Sequence, residues 1–256
     1  MLKIAAKRLL NSWGFALYKT KYLPFGCDYK EDINRLSPNL KVEIIFDVGA
    51  NLGQSALHYR QKFPQAKIYS FEPVTKAFQK LQAATSKDTN IFCYQLALTD
   101  RDGQEEIVTI GTKGTNSLKA KPDPSLSLQN DQTVELFTLT KLDSFLENNL
   151  VNVEYIDILK IDTEGFEIPV LQGALNTLKA GKIRYIFAET TLRNKDKDHT
   201  NFFELKKFLE PYNFNPIGFY DLVPYWGGGN AIDYLNVLFK RWDNQSSLRK
   251  LLLNLF

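Results

Sequence analysis

A chain of 256 residues with 44% apolar side chains carries enough hydrophobic material for one large domain. Its net charge of +3 leaves no electrostatic footprint for nucleic acid, and Cys27 and Cys93 are too few and too scattered for a zinc site or a disulfide framework. No run reaches the length of a membrane span, and two reduced thiols suit a cytoplasmic location.

The opening segment, "MLKIAAKRLLNSWGFALYK", is basic and amphipathic, and Lys3, Lys7 and Arg8 interrupt any signal-peptide core. It predicts an N-terminal helical segment within 1–43. The closing "SSLRKLLLNLF" predicts a C-terminal helix over 243–256, which leaves 44–242 for the main domain. Both terminal helices are expected to pack on the body, with peripheral contact to an anionic membrane surface as the alternative. Between them, "VEIIFDVGA" reads as a buried strand and a turn, and "QSALHYRQKF" as a helix ended by Pro64. "AKIYSFEP" and "NIFCYQLAL" are two more strands, separated by the helix "VTKAFQKLQAA". "QEEIVTI" and "QTVELFTLT" are strands joined by a long polar segment, followed by the short helix "LDSFLENN". "VEYIDILKID" is a strand, "PVLQGALNTLKAG" a helix with Gly181 as its C-cap, "IRYIFAET" a strand and "NFFELKKFLEPY" a helix. "FNPIGFY" and "DYLNVLFKRW" form two last strands around a glycine-rich loop.

Strands alternating with helices imply an α/β fold, a mostly parallel sheet with helices on both faces. Ligands of such sheets bind beyond the carboxyl ends of the strands, near the reversal of strand order. Asp47, Glu72, Asp162 and Glu189 all fall on that rim.

The loop "FDVGANLGQS" lets backbone approach a ligand at Gly49 and Gly53. A dinucleotide site uses G-x-G-x-x-G to hold pyrophosphate, but here there are two glycines and no Lys or Arg in the loop. The Asp47 carboxylate repels phosphate and favours a cationic ligand. S-adenosylmethionine, with an ammonium, a sulfonium and no phosphate, fits that preference. Glu72, about 20 residues on, is placed to accept both hydroxyls of an adenosine ribose, or else to cap the helix opening at Val74. Gln95 and Leu96 are adenine neighbours at the third strand's end.

"FDVGANLGQSALHYRQKFPQAKIYSFEP", then "LDSFL", then "DILKIDTEGFE" resemble the FkbM-type methyltransferases in motif order, from Ile44 to Glu189. The pairing of D-V-G-A-N-x-G with L-K-I-D-x-E-G carries the resemblance. It implies a class I methyltransferase, Rossmann-like, with one antiparallel strand near the C-terminus. Such enzymes take S-adenosylmethionine and often methylate a hydroxyl of a sugar, polysaccharide or specialised metabolite. By position Asp47, Gly49, Asn51, Gly53 and Glu72 hold the cofactor, with Gln54 and Ser55 at the helix start beside them. Asp162 and Glu164 lie near the transfer site. The stretch from Gly111 to Asn130 and the tail depart from the family's pattern, so the acceptor, a small molecule or carbohydrate, stays unnamed.

Asp162 is expected to bind the methionine ammonium, orient the acceptor or ligate a metal. Glu164 has the same options or caps the next helix. Glu167 is expected to be a solvated acid of the first helical turn, and Lys160 to pair with a neighbouring acid. A hydroxyl acceptor benefits from a base, and the candidates are Asp162, Glu164, Glu189 and His199, although His199 in "RNKDKDHTN" is expected to be exposed. His58 is expected to be structural. Asp162 with Glu189 is also a candidate Mg²⁺ pair. The acceptor pocket is expected among "GTKGTNSLKAKPDPSLSL", "TTLRNKDKDHT" and "YWGGGNA", with Trp226 against a sugar face. The competing readings are a nicotinamide oxidoreductase and a non-catalytic cofactor-binding protein.

Overall fold

The computed structural model describes residues 8–15, 18–110, 132–148, 153–194, 196, 198–225 and 231–242. Its contacts divide the chain into two compact units, 1–40 and 41–256. In the first, helix α1 (Tyr29–Leu36) begins at Asp28, whose carboxylate accepts the Lys30 and Glu31 N–H groups. Asp32 accepts the Gly26 N–H at 2.8 Å, which ties the preceding turn to the helix.

The second unit is built on a seven-stranded sheet. Its elements are β1 (Ile44–Val48), α2 (Gln54–Lys62), β2 (Lys67–Phe71), α3 (Thr75–Thr85), β3 (Ile91–Tyr94), β4 (Ala97–Leu98), β5 (Gly103–Ile110) and β6 (Gln132–Thr140). Then come α4 (Leu142–Asn148), β7 (Ile156–Ile161), α5 (Glu167–Gln172), α6 (Leu175–Lys179), β8 (Ile183–Thr190), α7 (Phe202–Leu209), β9 (Phe214–Pro224) and β10 (Ile232–Arg241). The large sheet runs β3-β2-β1-β7-β8-β10-β9, and β4-β6-β5 form a small separate sheet. Every pairing from β3 to β8 is parallel, while β10 is antiparallel to both neighbours, as the sequence leads one to expect. All six residues of β7 are buried, so both faces of the sheet's centre are covered.

The core is aromatic where β1, β2 and β3 meet α4. Phe145 stands edge-on to Phe71 and to Tyr94, each at 4.9 Å between centroids. Asp157, the one acid inside β7, lies at the other end from the rim. It accepts the Glu43 and Ile44 N–H groups at 2.8 and 3.0 Å and pairs with Arg184, which fastens the start of β1.

Two elements differ from the sequence reading. "NIFCYQLAL" is not one strand: it breaks after Tyr94, and Ala97–Leu98 cross to the small sheet. "PVLQGALNTLKAG" is two short helices with Gly173 and Ala174 between them, and a Cβ at Gly173 would lie 1.9 Å from the Thr99 carbonyl oxygen. Only glycine therefore lets the Thr99 backbone come so close. Residues 1–7 of the expected N-terminal segment and the expected C-terminal helix over 243–256 lie outside the described residues, and no described helix is long and apolar enough to cross a membrane.

Candidate active site

From β1 the chain pairs outward with β2 on one side and β7 on the other, so the sheet's reversal of order falls between β1 and β7. A cavity opens at the carboxyl ends of these strands, bounded by Gly49, Asn51, Glu72 and Leu96 on one side and by Asp162, Glu164 and Glu189 on the other.

The β1–β2 side is tightly determined. Gly49 has φ +75°, and a Cβ there would lie 1.8 Å from the Asp162 carbonyl oxygen, so only glycine lets the two loops touch. Asn51 also lies in the left-handed region, at φ 48°. Its N–H donates to one Glu72 oxygen at 2.9 Å, and the Val74 N–H donates to the other at 2.9 Å. Burial pushes the Glu72 carboxyl up, and these two bonds work against that shift. Glu72 therefore caps the loop and faces the cavity at once, since each carboxylate oxygen can accept a further bond.

Asp47 is fully buried. It accepts from Ser55 Oγ at 2.6 Å and pairs with Lys160 Nζ at 3.1 Å. The strand register sets Lys160 opposite Asp47. The same ammonium donates to the Gly49 carbonyl at 2.9 Å and lies 3.4 Å from Asp162. Burial opposes the charge on Lys160, but Asp47 and Asp162 outweigh it and hold the ammonium above the ordinary lysine range. This corrects the argument from a carboxylate without a cation: Lys160 compensates Asp47 from the neighbouring strand. Four other expected cofactor residues do not line the cavity. Gln54 is exposed, Ser55 is spent on Asp47, and Gln95 is exposed with its amide on Thr75. Gly53 begins α2 at φ +93°, where a Cβ would lie 3.1 Å from the Leu81 side chain, so it serves helix packing.

The β7–β8 side gathers acids. Glu164 is held at φ 53°, a strained setting for a residue with a side chain. Glu167 is 1% exposed, not solvated as expected. One of its oxygens accepts from the Thr163 N–H and hydroxyl, both at 2.9 Å, and from the Gly165 N–H at 3.3 Å. It is the brace that shapes the 162–165 turn. His199 is a second correction, because its side chain is 13% exposed. It stacks on Tyr234 at 4.9 Å, and its Nδ1 lies 3.2 Å from Asp196. Its Nε2 points back to Glu189 at 3.7 Å and Glu164 at 4.0 Å. Burial, then the charges of Asp162, Glu164 and Glu167, push the Glu189 carboxyl up to about 9. Burial and Asp162 push Glu164 up to about 7. His58 is exposed on α2.

Behind His199 a second, polar cavity is lined by Gly165, Arg193, Asp196, Thr200 and Glu204. His199 with Glu164 and Glu189 thus stands between two cavities, where base and metal-ligand chemistry are both available. Sequence reading missed the contributions of Thr163, Asp196 and Tyr234. Thr163, four residues before Glu167 across a Gly turn, and Asp196, three residues before His199, lay within local reach, whereas nothing local marks Tyr234. Trp226 with its glycines and the 111–128 loop lie outside the described residues.

A family model described as the FkbM methyltransferase domain matches residues 47–216. Methyltransferase 1 of Beauveria bassiana is 27% identical over 143 residues, which are 50% of this chain and 57% of that one. The 2-O-methyltransferase NoeI of Sinorhizobium fredii is 24% identical over 185 residues, 63% of this chain and 74% of that one. The hexuronic acid methyltransferase AglP of Haloferax volcanii is 24% identical over 162 residues, 62% of this chain and 60% of that one. The matched part of this chain thus spans between 57% and 74% of the length of these relatives.

Proposed function

We propose, from the premise that this chain belongs to the FkbM methyltransferase family, that it moves a methyl group from S-adenosylmethionine to a hydroxyl of a sugar, polysaccharide or glycosylated metabolite. Membership in this family sets aside the nicotinamide oxidoreductase. The observation that carries the reading is the contact of the two motif loops, where Gly49 lies against Asp162 and one cavity runs from Glu72 to Glu189. In that cavity the Glu72 carboxylate accepts the ribose hydroxyls, and Asp162 faces the methionine ammonium. Leu96 provides an apolar neighbour for adenine. The acceptor enters from the His199 side. Its oxygen bonds to the methyl carbon as the carbon–sulfur bond breaks, and S-adenosylhomocysteine leaves. Much of the acceleration comes from holding the two reactants in line. The hydroxyl proton goes to one of the acids or the imidazole at that corner, a step typically worth about 10²–10⁴-fold.

The names of two relatives, a 2-O-methyltransferase and a hexuronic acid methyltransferase, support a carbohydrate acceptor. The test is incubation of the full chain with methyl-labelled S-adenosylmethionine and glycan or metabolite fractions. The expected product carries label in a carbohydrate as a methyl ether that survives mild alkali. Label found only in alkali-labile esters, or only on nitrogen, would overturn the hydroxyl assignment.

A further inference from the structure

We propose that Glu164, Glu189 and His199 form a binding site for a divalent cation, with open coordination positions facing the acceptor. The inference rests on reading this corner as the methyl-transfer site, and it adds a metal to that reading.

Three independent observations meet there. First, one ligand atom from each residue lies within 4.8 Å of the other two, with His199 Nε2 3.7 Å from Glu189 and 4.0 Å from Glu164. Three donors so spaced surround a point about 2.5 Å or less from each, close to Ca²⁺–oxygen bonds and a few tenths longer than Mg²⁺–oxygen bonds. Second, Glu189 is only 9% exposed, and among the described residues neither of its oxygens has a hydrogen-bond partner. Those oxygens open onto the cavity, and the group they face is an imidazole nitrogen too far away to bond them. Third, the imidazole is already oriented for metal binding. Asp196 lies 3.2 Å from Nδ1, and the ring stacks on Tyr234. A proton shared on that Nδ1–Asp196 side leaves the Nε2 lone pair aimed at the two glutamates, the arrangement usual behind a metal-bound histidine. Without a cation, that lone pair faces two acids.

The donor set selects the class of ion. Two carboxylates suit Mg²⁺, Mn²⁺ or Ca²⁺, whereas the imidazole shifts the preference away from Ca²⁺ toward Mn²⁺ and its transition-metal neighbours. Three protein ligands leave positions free, and the two cavities on either side give an acceptor oxygen or water a way in. The corner of the candidate pair Asp162–Glu189 passes instead to Glu164 and His199, since Asp162 is engaged by Lys160 at 3.4 Å.

Mn²⁺ alone is the probe. The chain has two histidines, His58 and His199, so a tag-free protein gives two imidazole Cε1–H signals by NMR. Substoichiometric Mn²⁺ is expected to broaden the His199 signal selectively and leave His58 sharp. Electron paramagnetic resonance is expected to count one bound Mn²⁺ per chain. His199→Gln and Glu189→Gln should abolish that binding, Asp196→Asn should weaken it about 10- to 100-fold, and Glu106→Gln on the exposed side of β5 should leave it unchanged. No Mn²⁺ bound by the wild-type chain, equal broadening of both histidines, or binding indifferent to His199→Gln would overturn the site. S-adenosylhomocysteine titration of the same samples separates the two readings. Cofactor binding without Mn²⁺ binding removes the cation alone, and Mn²⁺ binding without cofactor binding removes the methyl-transfer reading.

Discussion

Glu72 and Glu189 end two strands of one rim and are almost equally buried, at 6% and 9% exposure. Their surroundings differ in kind. Glu72 has both oxygens bonded to backbone N–H groups at 2.9 Å, and the nearby Asp47 is matched by Lys160. The Glu189 carboxyl has no hydrogen bond among the described residues and feels the charges of Asp162, Glu164 and Glu167. The β1–β2 side is electrostatically settled before any ligand arrives, which is what a recurring adenosine group requires. The β7–β8 side is left unsettled, as sites that move protons or hold metals often are.

The largest effect expected of a single substitution breaks the settled side. Lys160→Met leaves Asp47 buried and unpaired, and urea unfolding should show a loss of about 3–5 kcal/mol. A loss under about 1 kcal/mol, the scale of exposed pairs, would mean that the pair is not buried in solution. Glu72→Ala removes the acceptor proposed for ribose and should weaken S-adenosylhomocysteine binding by about 1.5–3 kcal/mol in calorimetry. Unchanged affinity would reduce Glu72 to a brace for Asn51 and Val74. Glu167→Ala should cost about 1–3 kcal/mol in thermal or chemical melting, because Thr163 and Gly165 lose their acceptor. A change of a few tenths would restore the solvated acid that its sequence position suggests.

The pH dependence sharpens the unsettled side. Glu189 has its carboxyl raised to about 9 in the fold, so the folded state holds a proton that the unfolded chain releases near its ordinary value. Its contribution to metal-free stability is complete in acid and fades as pH rises toward 9, with a slope of at most about 1.4 kcal/mol per pH unit. Melting temperatures of chelator-treated protein should fall from pH 5 to pH 9, and Glu189→Gln should flatten that fall. A variant whose slope equals the wild type's would show that Glu189 is ionised throughout.

Much of the sheet could be read in the sequence, because apolar runs such as "IIFDV" and "IDILKI" are buried nearly end to end. The rim acids could be read for the same reason: strand ends in such a sheet converge. The failures are those of partners that only the folded backbone brings together, some distant along the chain and some close. Nothing near Asp47 announces Lys160, which strand register brings in from 113 positions away. His199 looks like a solvated loop residue until Asp196 and Tyr234 fix its ring. Glu167 looks like a surface acid because helix starts favour such residues, yet the turn before it folds back onto its side chain. The close approach of Thr99 to Gly173 was hidden too, since it joins residues 74 positions apart.

Calorimetric titration of the full chain with S-adenosylhomocysteine, beside NAD under the same conditions, tests the central claim most directly. The account predicts one saturable S-adenosylhomocysteine site per chain and no measurable NAD binding. Binding of NAD more tightly than S-adenosylhomocysteine, or binding of neither, would contradict it.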